Sequence, residues 1–340
     1  MRFGIIGCGA ASIYHVTAVN NIHNARLVGA SGASEAEART FSEKYGTRPF
    51  SSTDELLSCP DIDTVCICTP SGLHSRLAVR AAEHGKNVVI EKPIALTSES
   101  ADEVILACEK NGVTGTVISQ LRFSPDIQKT AAALKGNILG RLLMVNLSMK
   151  YHRSQEYYDR AAWRGTWSMD GGGALMNQGI HGIDIMLYLA GGVKSVCGYA
   201  GHIIRNIEVE DTAAASLIFN NGAFGSIVAS TAVTPACGRL LEIHGEKGTI
   251  ILDENRISKW YIENGGDNFE LPRGAAPLFA GDASAPPPEG HEVQIAEFVD
   301  ALENNREPAV TLEDGRRAVE LITSVYKSSE TGRTVFTRPE

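Results

Sequence analysis

The first 120 residues alternate between short apolar runs and longer amphipathic stretches. The apolar runs predict five β-strands, within RFGIIGCG, ARLVGASG, TVCICTP, NVVIEKP and GTVISQ. The stretches between them predict helices at Ala11–Asn21, Glu35–Tyr45, Leu73–His84 and Ser98–Asn111. Strands separated by helices of about 10–15 residues indicate βαβ units, and strands that are apolar on both faces indicate a parallel sheet covered by helices. The pattern therefore predicts an α/β fold with a doubly wound parallel sheet.

After residue 120 the pattern changes to alternation of apolar and polar residues. The segments RLLMVNLSMKYH, TAAASLIFNNGAFGSIVAST and RLLEIHGEKGTIILDE predict hairpins of a large, mainly antiparallel sheet. Residues 265–291 are rich in Gly, Pro and Ala and predict a surface loop. Two amphipathic helices, about His291–Asn304 and Leu312–Thr331, close the chain. We expect one domain at 1–120 and a second at 121–340, whose terminal helices could pack back on the first.

The segment DGGGALMNQGIHGIDIMLYLAGG, from Asp170 to Gly192, combines an apolar helix pattern with three polar residues. Asn177, His181 and Asp184 fall within roughly 60° of one another on an α-helix. The neighbouring apolar stripe, which should face the core, consists of Met176, Ile180, Ile183 and Leu187. The polar stripe is either a solvated face or the lining of a site.

Composition excludes several classes of protein. The 340 residues are 43% hydrophobic and 21% charged, which is ordinary for a globular chain, and the net charge of −9 argues against a nucleic-acid partner. Because no apolar run approaches the roughly 20 residues of a membrane span and the N-terminus lacks a signal-peptide pattern, we expect no membrane partner. The seven cysteines are scattered without a CxxC pair, so we expect no disulfide framework, no metal and a cytoplasmic location.

The N-terminal stretch GIIGCGAAS indicates a dinucleotide site. Gly7 and Gly9 end the first strand, where glycines permit a tight turn and the close approach of a pyrophosphate to the next helix. Ser12 takes the third position of G-x-G-x-x-G, which mainly serves packing and accepts a small residue. The cofactor-binding residues expected in this turn are Gly7, Cys8, Gly9, Ala10, Ala11 and Ser12.

The end of the second strand bears on the choice of cofactor. Ser31 and Gly32 stand where an acid that binds the adenosine ribose would be expected. Ser31, Ser34 and Arg39 could hydrogen-bond a 2′-phosphate, so we favour NADP over NAD. The alternatives are that Glu35 or Glu37 supplies the acid from the next turn, or that both cofactors bind.

VVIEKP ends a strand with Glu91, Lys92 and Pro93, and residues at the carboxyl end of a parallel strand face the ligand crevice of such sheets. Taken in order, G-x-G, TPSGLH, EKP, QLRFSP and GGGALMNQGIHGID closely resemble the Gfo/Idh/MocA family of oxidoreductases. The resemblance covers nearly the whole chain. It implies an N-terminal Rossmann domain and a C-terminal α/β domain with an open antiparallel sheet, through which a homodimer or homotetramer would form.

The resemblance also implies roles for individual residues. Lys92 corresponds to the family's lysine that binds the reacting hydroxyl and the nicotinamide ribose, and His181 to its catalytic histidine. Asn177 stands where many inositol dehydrogenases have Asp, so it is expected to orient His181, while Asp184 is expected to be structural. The residues expected beside the cofactor are Thr69, Pro70, Ser71, His74, Glu91, Lys92 and Gln120.

The stretch MKYHRSQEYYDRAAWRGTWSMD, residues 149–170 before the triple glycine, concentrates aromatic and basic residues that suit sugar rings and their hydroxyls or carboxylates. Alternatively, Trp163 and Trp167 only anchor a loop to the core. The residues expected to bind substrate are Lys92, Arg122, Tyr151, Trp163, Arg164, Asn177, Gln178 and His181.

Hydride removal from a carbinol requires a base for the hydroxyl proton and a cation for the developing alkoxide, roles that a histidine and a lysine can fill near neutral pH. We therefore expect an NAD(P)-dependent dehydrogenase of a sugar, cyclitol or sugar derivative. The alternatives are a regulatory protein that binds dinucleotide and sugar without turnover, or an enzyme that cycles a tightly bound cofactor.

Overall fold

The computed structural model describes residues 1–265, 267–272 and 289–338. Strands in these residues are β1 (Arg2–Ile6), β2 (Arg26–Ser31), β3 (Arg48–Pro49), β4 (Thr64–Ile67), β5 (Asn87–Ile90), β6 (Gly115–Val117), β7 (Leu142–Lys150), β8 (Val193–Gly201), β9 (Thr212–Phe219), β10 (Phe224–Ser230), β11 (Gly238–Gly245), β12 (Gly248–Asp253), β13 (Arg256–Ile262), β14 (Phe269–Glu270) and β15 (Val335–Phe336). The α-helices are α1 (Ser12–Asn21), α2 (Glu35–Tyr45), α3 (Thr53–Leu57), α4 (His74–Glu83), α5 (Ser98–Asn111), α6 (Pro125–Lys135), α7 (Gln155–Asp159), α8 (Ile180–Ala190), α9 (Glu289–Glu303) and α10 (Leu312–Thr331). A π-helical turn, Ala174–Gly179, precedes α8. None of the described helices is long and apolar enough to cross a lipid bilayer.

The chain forms two compact units. Among the described residues, the first unit contains 1–120 and 289–316, and the second contains 121–265, 267–272 and 317–338.

The first unit is built on a six-stranded parallel sheet with the order β3-β2-β1-β4-β5-β6. The predicted doubly wound α/β fold is confirmed. Strand β3 has no hydrophobic signature, because its two residues, Arg48 and Pro49, are both exposed. Phe3 and Ile5 of β1 are fully buried in a core that also contains Phe298 of α9, which packs against α1. The last helix but one thus completes the fold of the N-terminal residues.

The second unit is built on a nine-stranded sheet with the order β14-β13-β12-β11-β7-β10-β9-β8-β15. Its neighbouring strands are antiparallel except for β7 and β10, which are parallel, so the mainly antiparallel sheet is confirmed. The predicted surface loop is wrong at Phe269–Glu270, which pair with β13 as β14. The part of that loop at 273–288 lies outside the described residues, and α9 begins at Glu289, slightly earlier than expected.

One face of this sheet exposes a row of apolar side chains across its central strands. Phe224 of β10 lies opposite Ile218 of β9 and Met144 of β7, and all three are exposed. Tyr199 of β8 is 75% exposed. Because side chains alternate between the faces of a strand, their neighbours in sequence, such as Val145 and Leu217, fill the core on the other face.

Helix α8 packs against β7 and β11 within the second unit and is buried on nearly all sides. The apolar stripe predicted for it is confirmed at Met176, Ile180 and Ile183, whereas Leu187 is only half-buried. The first turn is π-helical rather than α-helical, since the amide of Gln178 donates to the carbonyl of Gly173, five residues earlier, at 3.1 Å.

A buried ion pair fixes α8. The Nε and Nη2 atoms of Arg122 donate to the Oδ2 and Oδ1 atoms of Asp184 at 2.8 and 2.6 Å, and each side chain is only 5% exposed. Two charges can be buried together in this way because the planar guanidinium satisfies both carboxylate oxygens. Asp184 therefore does not belong to a solvated polar stripe.

Replacing Asp184 by Asn should destabilise the second unit by about 3 kcal/mol, because it leaves the guanidinium of Arg122 buried beside a neutral group. Urea unfolding followed by tryptophan fluorescence measures this, since all three tryptophans, Trp163, Trp167 and Trp260, belong to the second unit. Asp267→Asn, at an exposed residue, is the matched control and should change stability by less than about 0.5 kcal/mol. Equal stability of the two variants would contradict the importance of this ion pair.

Candidate active site

The turn between β1 and α1 has the geometry of a dinucleotide-binding loop. Gly7 has a φ of +97°, and a Cβ at this residue would lie 2.8 Å from the carbonyl carbon and oxygen of Cys68. In contrast, a Cβ at Gly9 would meet no protein atom within 4 Å. Gly7 thus serves the packing of the turn, whereas the exposed backbone at Gly9 is open to a ligand at the N-terminus of α1.

Ser12 stands at the third glycine position of G-x-G-x-x-G, and its surroundings explain why a serine is accepted there. It is fully buried, and its hydroxyl donates to the carbonyl oxygen of Gly9 at 2.6 Å. A small side chain therefore fits here and adds a hydrogen bond that stabilises the turn. Of the other residues expected in this loop, Ala10 is exposed, and Cys8 and Ala11 are half-buried.

The residues expected to bind a 2′-phosphate are already engaged with protein groups. Ser31 is 1% exposed, and the hydroxyl of Ser34 caps α2 by accepting from the amide of Glu37 at 3.2 Å. The Nε and Nη2 atoms of Arg39 donate to Glu35.

Glu37 occupies the space at the end of β2. Its Oε2 atom accepts from the amide of Ala33 at 2.7 Å, and a Cβ at Gly32 would lie 2.8 Å from that oxygen. Burial, and secondarily the charge of Glu37, raise the pKa of the Cys8 thiol in the glycine turn to about 11. Glu37 thus places a carboxylate at the end of β2, where the strand itself has no acidic residue.

The carboxylate of Glu91 at the end of β5 is the centre of a buried cluster. Its Oε1 atom lies 2.9 Å from Nε2 of His15 in α1 and 3.1 Å from Nε2 of His291 in α9. Its Oε2 atom accepts from the backbone amide of Lys92 at 3.2 Å. The His291 ring also stacks on Tyr14, with ring centres 5.1 Å apart.

The charges of this cluster follow from its burial. Burial alone would raise the pKa of Glu91, but the hydrogen bonds from His15 and His291 outweigh it and hold that pKa well below the ordinary value. Burial also lowers the pKa of His15. We therefore assign an ionised glutamate whose Oε1 atom accepts hydrogen bonds from Nε2 of both imidazoles. Although these three side chains are close enough to hold a metal ion, the hydrogen bonds account for their arrangement.

His74 connects the loop after β4 to the turn after β5. Its ring nitrogens lie 2.7 Å from the carbonyl oxygen of Pro93 and 2.8 Å from that of Thr69, and its side chain is 1% exposed. The Lys92–Pro93 peptide bond within this turn is cis. His74, expected to lie beside the cofactor, is thus engaged in holding two loops of the first unit together.

Two further cofactor candidates carry buried polar atoms that have no hydrogen-bond partner among the described residues. These atoms are Oγ1 of Thr69 and Oε1 of Gln120. A buried polar atom without a partner is costly, and a ligand that bonds to it removes the cost. Pro70 is half-buried and Ser71 is buried in the same loop as Thr69. These orphan atoms and the open space at Gly9 fit a bound dinucleotide.

In the second unit, the triple glycine allows close packing before the π-helical turn. A Cβ at Gly173 would lie 2.1 Å from the carbonyl oxygen of Glu210, and one at Gly172 would lie 2.1 Å from the hydroxyl oxygen of Tyr326. The carboxylate of Glu210 accepts from the amides of Gly173 and Leu175, at 2.9 and 2.8 Å. These glycines are required by protein atoms of the second unit, and an approach of the helix to a cofactor stays a prediction.

The π-helical turn orients two amides. The Nδ2 atom of Asn177 donates to Oδ1 of Asp170, a fully buried carboxylate whose Oδ2 accepts from the amide of Gly165 at 2.9 Å. The Nε2 atom of Gln178 donates to the hydroxyl of Tyr157 at 2.9 Å. His181 follows in the first turn of α8 and is half-buried.

A cluster of aromatic and basic side chains lies beside Gln178. The Oε1 atom of Gln178 accepts from Nε of Arg153 at 3.1 Å, and the guanidinium carbon of Arg164 lies 4.1 Å from the centre of the Tyr157 ring. Trp163 is half-buried, with its ring centre 5.2 Å from the same carbon of Arg164.

Arg122 and Tyr151, also expected to bind substrate, have other neighbours. The guanidinium of Arg122 holds Asp184, as described above. Tyr151 extends β7, its amide donating to the carbonyl of Ser230 at 2.8 Å. Lys92 lies in the first unit and His181 in the second.

Several residues of these sites were not expected from the sequence, namely His15, His291, Asp170, Glu210, Arg153 and Tyr157. His15 and Glu91 are separated by 76 residues and His291 and Glu91 by 200, and no periodic pattern connects residues so far apart. For Arg153 and Tyr157 a signal existed, since both lie in the aromatic and basic stretch before the triple glycine.

Comparisons with known proteins agree with this geometry. The chain matches the model of an oxidoreductase family's NAD-binding Rossmann fold over residues 1–119, and that of the family's C-terminal α/β domain over residues 131–337. It is 26% identical to the myo-inositol 2-dehydrogenase of Thermotoga maritima, over 98% of each chain.

Two solved structures are more similar. The WlbA dehydrogenase of Bordetella pertussis, in complex with NADH and UDP-GlcNAcA, is 32% identical, with a TM-score of 0.88 and coverage of 100% of this chain and 99% of that one. The WlbA dehydrogenase of Chromobacterium violaceum, in complex with the same two molecules, is 30% identical, with a TM-score of 0.88 and coverage of 100% and 96%. The resemblance found in the motifs is confirmed: the chain belongs to the Gfo/Idh/MocA family of oxidoreductases, of which it has both the NAD-binding and the C-terminal domain.

Proposed function

We propose that this protein is an NAD-dependent dehydrogenase that oxidises a secondary hydroxyl of a nucleotide-linked sugar acid. The observation that carries the proposal is the similarity, over essentially the whole chain, to two dehydrogenases solved with NADH and UDP-GlcNAcA. More distant relatives named for myo-inositol, apiose and levoglucosan indicate that sugars and cyclitols are the wider substrate class. In this proposal residues 1–120 bind the cofactor and residues 121–340 bind the substrate.

Oxidation removes a hydride from the carbinol carbon of the substrate and a proton from its hydroxyl, and a bound nicotinamide cofactor would supply the hydride acceptor. We assign Lys92 to bind the hydroxyl oxygen, because an ammonium group stabilises the negative charge that develops on it. His181 serves as the base that removes the proton, since an imidazole titrates near neutral pH. Asn177 donates to Asp170 and Gln178 donates to Tyr157, and we assign both amides to bind other hydroxyls of the substrate.

The hydrogen bonds at the end of β2 support NAD as the cofactor, although the sequence pattern favours NADP. Glu37 can accept hydrogen bonds from the adenosine ribose hydroxyls, and its charge would repel a 2′-phosphate. Arg39, the cation that the phosphate would need, is paired with Glu35. This corresponds to the alternative in which an acid of the next turn replaces the missing one.

The exposed sheet face supports a homo-oligomer. Phe224, Ile218 and Met144 lie opposite one another as an exposed apolar patch across three strands, and patches of this kind mark interaction surfaces. We assign a second copy of the chain as the partner, since a flat sheet face pairs readily with itself about a two-fold axis.

We also propose that the enzyme works in the cytoplasm. All seven cysteines are free thiols, and four of them, Cys59, Cys66, Cys68 and Cys108, are buried. Burial raises the pKa of the Cys108 thiol to about 11, so it stays protonated at neutral pH. Chains that mature in oxidising compartments more often pair their cysteines.

Replacing Lys92 by Ala should lower kcat about a hundredfold or more, because the alkoxide loses its stabilising cation. Steady-state rates of NADH formation with UDP-GlcNAcA measure this. Lys110→Ala, at an exposed residue of α5, is the matched control and should keep wild-type rates. A fully active Lys92→Ala enzyme would exclude the assignment.

Replacing Glu37 by Gln should weaken NADH binding about tenfold and reduce the discrimination against NADPH. Fluorescence titration of nucleotide-free protein measures both affinities, and the nucleotide released during its preparation shows whether the cofactor is tightly held. Glu35→Gln is the control on the same helix and should leave NADH affinity unchanged. Tighter binding of NADPH than NADH by the wild-type protein would instead support the Ser31–Gly32 interpretation.

Replacing Phe224 by Asp should convert the oligomer to a monomer, because a charge would be buried at the proposed interface. Sedimentation velocity distinguishes the two states. Leu106→Asp, in α5 of the first unit, is the control, since both side chains are 61% exposed. A wild-type protein that sediments as a monomer would contradict this assembly.

A further inference from the structure

Three arginines in one region of the second unit lack a carboxylate partner within the described residues. Arg153 and Arg164 lie in the aromatic and basic stretch that precedes the triple glycine, and Nη2 of Arg205 lies 3.3 Å from Nε2 of His152 in the same stretch. Other arginines of the unit, such as Arg122 and Arg239, are paired with acids. Unpaired guanidinium groups in one region of a chain with a net charge of −9 suggest a local requirement for an anion.

Arg164 gives the strongest indication. Its Nε and Nη1 atoms are buried and find no acceptor in the part of the chain that the structure describes. The guanidinium stacks over the Tyr157 ring at 4.1 Å, which holds its plane without using its N–H donors. Because buried donors on a charged group are expensive to leave unsatisfied, an anionic ligand would stabilise this arrangement.

Arg153 faces the same ring. Its guanidinium carbon lies 5.4 Å from the centre of the Tyr157 ring, and its Nε atom donates to Gln178 at 3.1 Å. Gln178 in turn donates to the Tyr157 hydroxyl at 2.9 Å. Hydrogen bonds to neutral groups thus hold the guanidinium of Arg153 beside the same ring as Arg164. The positive charge of Arg153 is not neutralised by these bonds.

The location of these side chains suggests which part of the substrate they bind. Gln178 lies in the π-helical turn next to Asn177 and precedes His181 by only three residues. A group bound here belongs to the reacting sugar ring or to a substituent directly on it. The planar array of guanidinium donors matches the two oxygens of a carboxylate.

We propose that Arg164, assisted by Arg153, forms the subsite that binds the carboxylate of the sugar acid. The proposal rests on the proposed function for the identity of the substrate, but the unpaired guanidiniums support an anion subsite independently of it. Recognition of this carboxylate would distinguish a sugar acid from the corresponding neutral sugar, so Arg164 is a specificity-determining residue.

Isothermal titration of the full-length protein in the presence of NADH tests the subsite. The probes are UDP-GlcNAcA, UDP-GlcNAc, UDP and D-glucuronate. Wild-type protein should bind UDP-GlcNAcA about tenfold or more tightly than UDP-GlcNAc, and Arg164→Gln should abolish this difference by weakening only the acid. Arg153→Gln should reduce the same difference, and Arg141→Gln, at an exposed arginine paired with Glu246, should have no effect.

Other outcomes overturn either the subsite or the proposed function. Equal affinity of the wild-type protein for the acid and the neutral sugar would overturn the subsite while leaving dehydrogenase activity possible. Equal losses for UDP, UDP-GlcNAc and UDP-GlcNAcA in Arg164→Gln would show that the arginine binds phosphate and would also overturn it. If only D-glucuronate binds, and Arg164→Gln abolishes its binding, the subsite stands and the nucleotide-linked substrate is excluded. If none of the probes binds, the subsite is overturned.

Discussion

The hydrogen-bonded carboxylate of Glu91 is the interaction on which the proposed cofactor site of the first unit depends. Held by His15 and His291 through one oxygen, it accepts the amide of Lys92 with the other. This cluster joins α1 and α9 to the end of β5 and fixes the backbone from which the proposed catalytic lysine projects. A fully buried carboxylate without these imidazoles would be protonated or would move towards water, and the turn would lose its anchor.

In the second unit, buried and hydrogen-bonded carboxylates likewise hold the π-helical turn and the helix that follows it. Asp170, Glu210 and Asp184 are all buried acids, and each satisfies donors that set the start or the packing of the helix carrying His181. Arg164 is different, because its buried donors have no acceptor among the described residues. The three buried acids that hold this turn and helix thus have hydrogen-bond donors within the protein, whereas the two buried donors of the arginine assigned to the ligand have no acceptor among the described residues.

Much of the fold could be predicted from the sequence, because periodicity reports on burial. Period-two alternation identified the hairpins of the second sheet, and apolar runs such as VVI identified the strands of the first. Strand β3 was missed because both of its residues are exposed, and the π-helical turn was missed because an apolar pattern does not distinguish it from an α-helix.

Residues of the site could be predicted only where they belong to a motif that is continuous in sequence. EKP and the glycine turn are continuous in sequence, whereas the pairing of Glu91 with His291 spans 200 residues and follows from tertiary packing alone. Glu37 is an intermediate case. It lies close enough to Ser31 in sequence to be an alternative to the missing acid of the second strand, but only the hydrogen bond that it accepts from the amide of Ala33 favours it. The absence of an acid in the second strand therefore did not determine the cofactor.

The most direct test of the central claim is a single-turnover experiment with wild-type enzyme, NAD⁺ and UDP-GlcNAcA. We predict that NADH forms with an amplitude proportional to the enzyme concentration, and that mass spectrometry finds a sugar-nucleotide product lighter by two hydrogens. Absence of NADH and of the oxidised product with this substrate, while a neutral sugar or cyclitol is oxidised by the same preparation, would contradict the account.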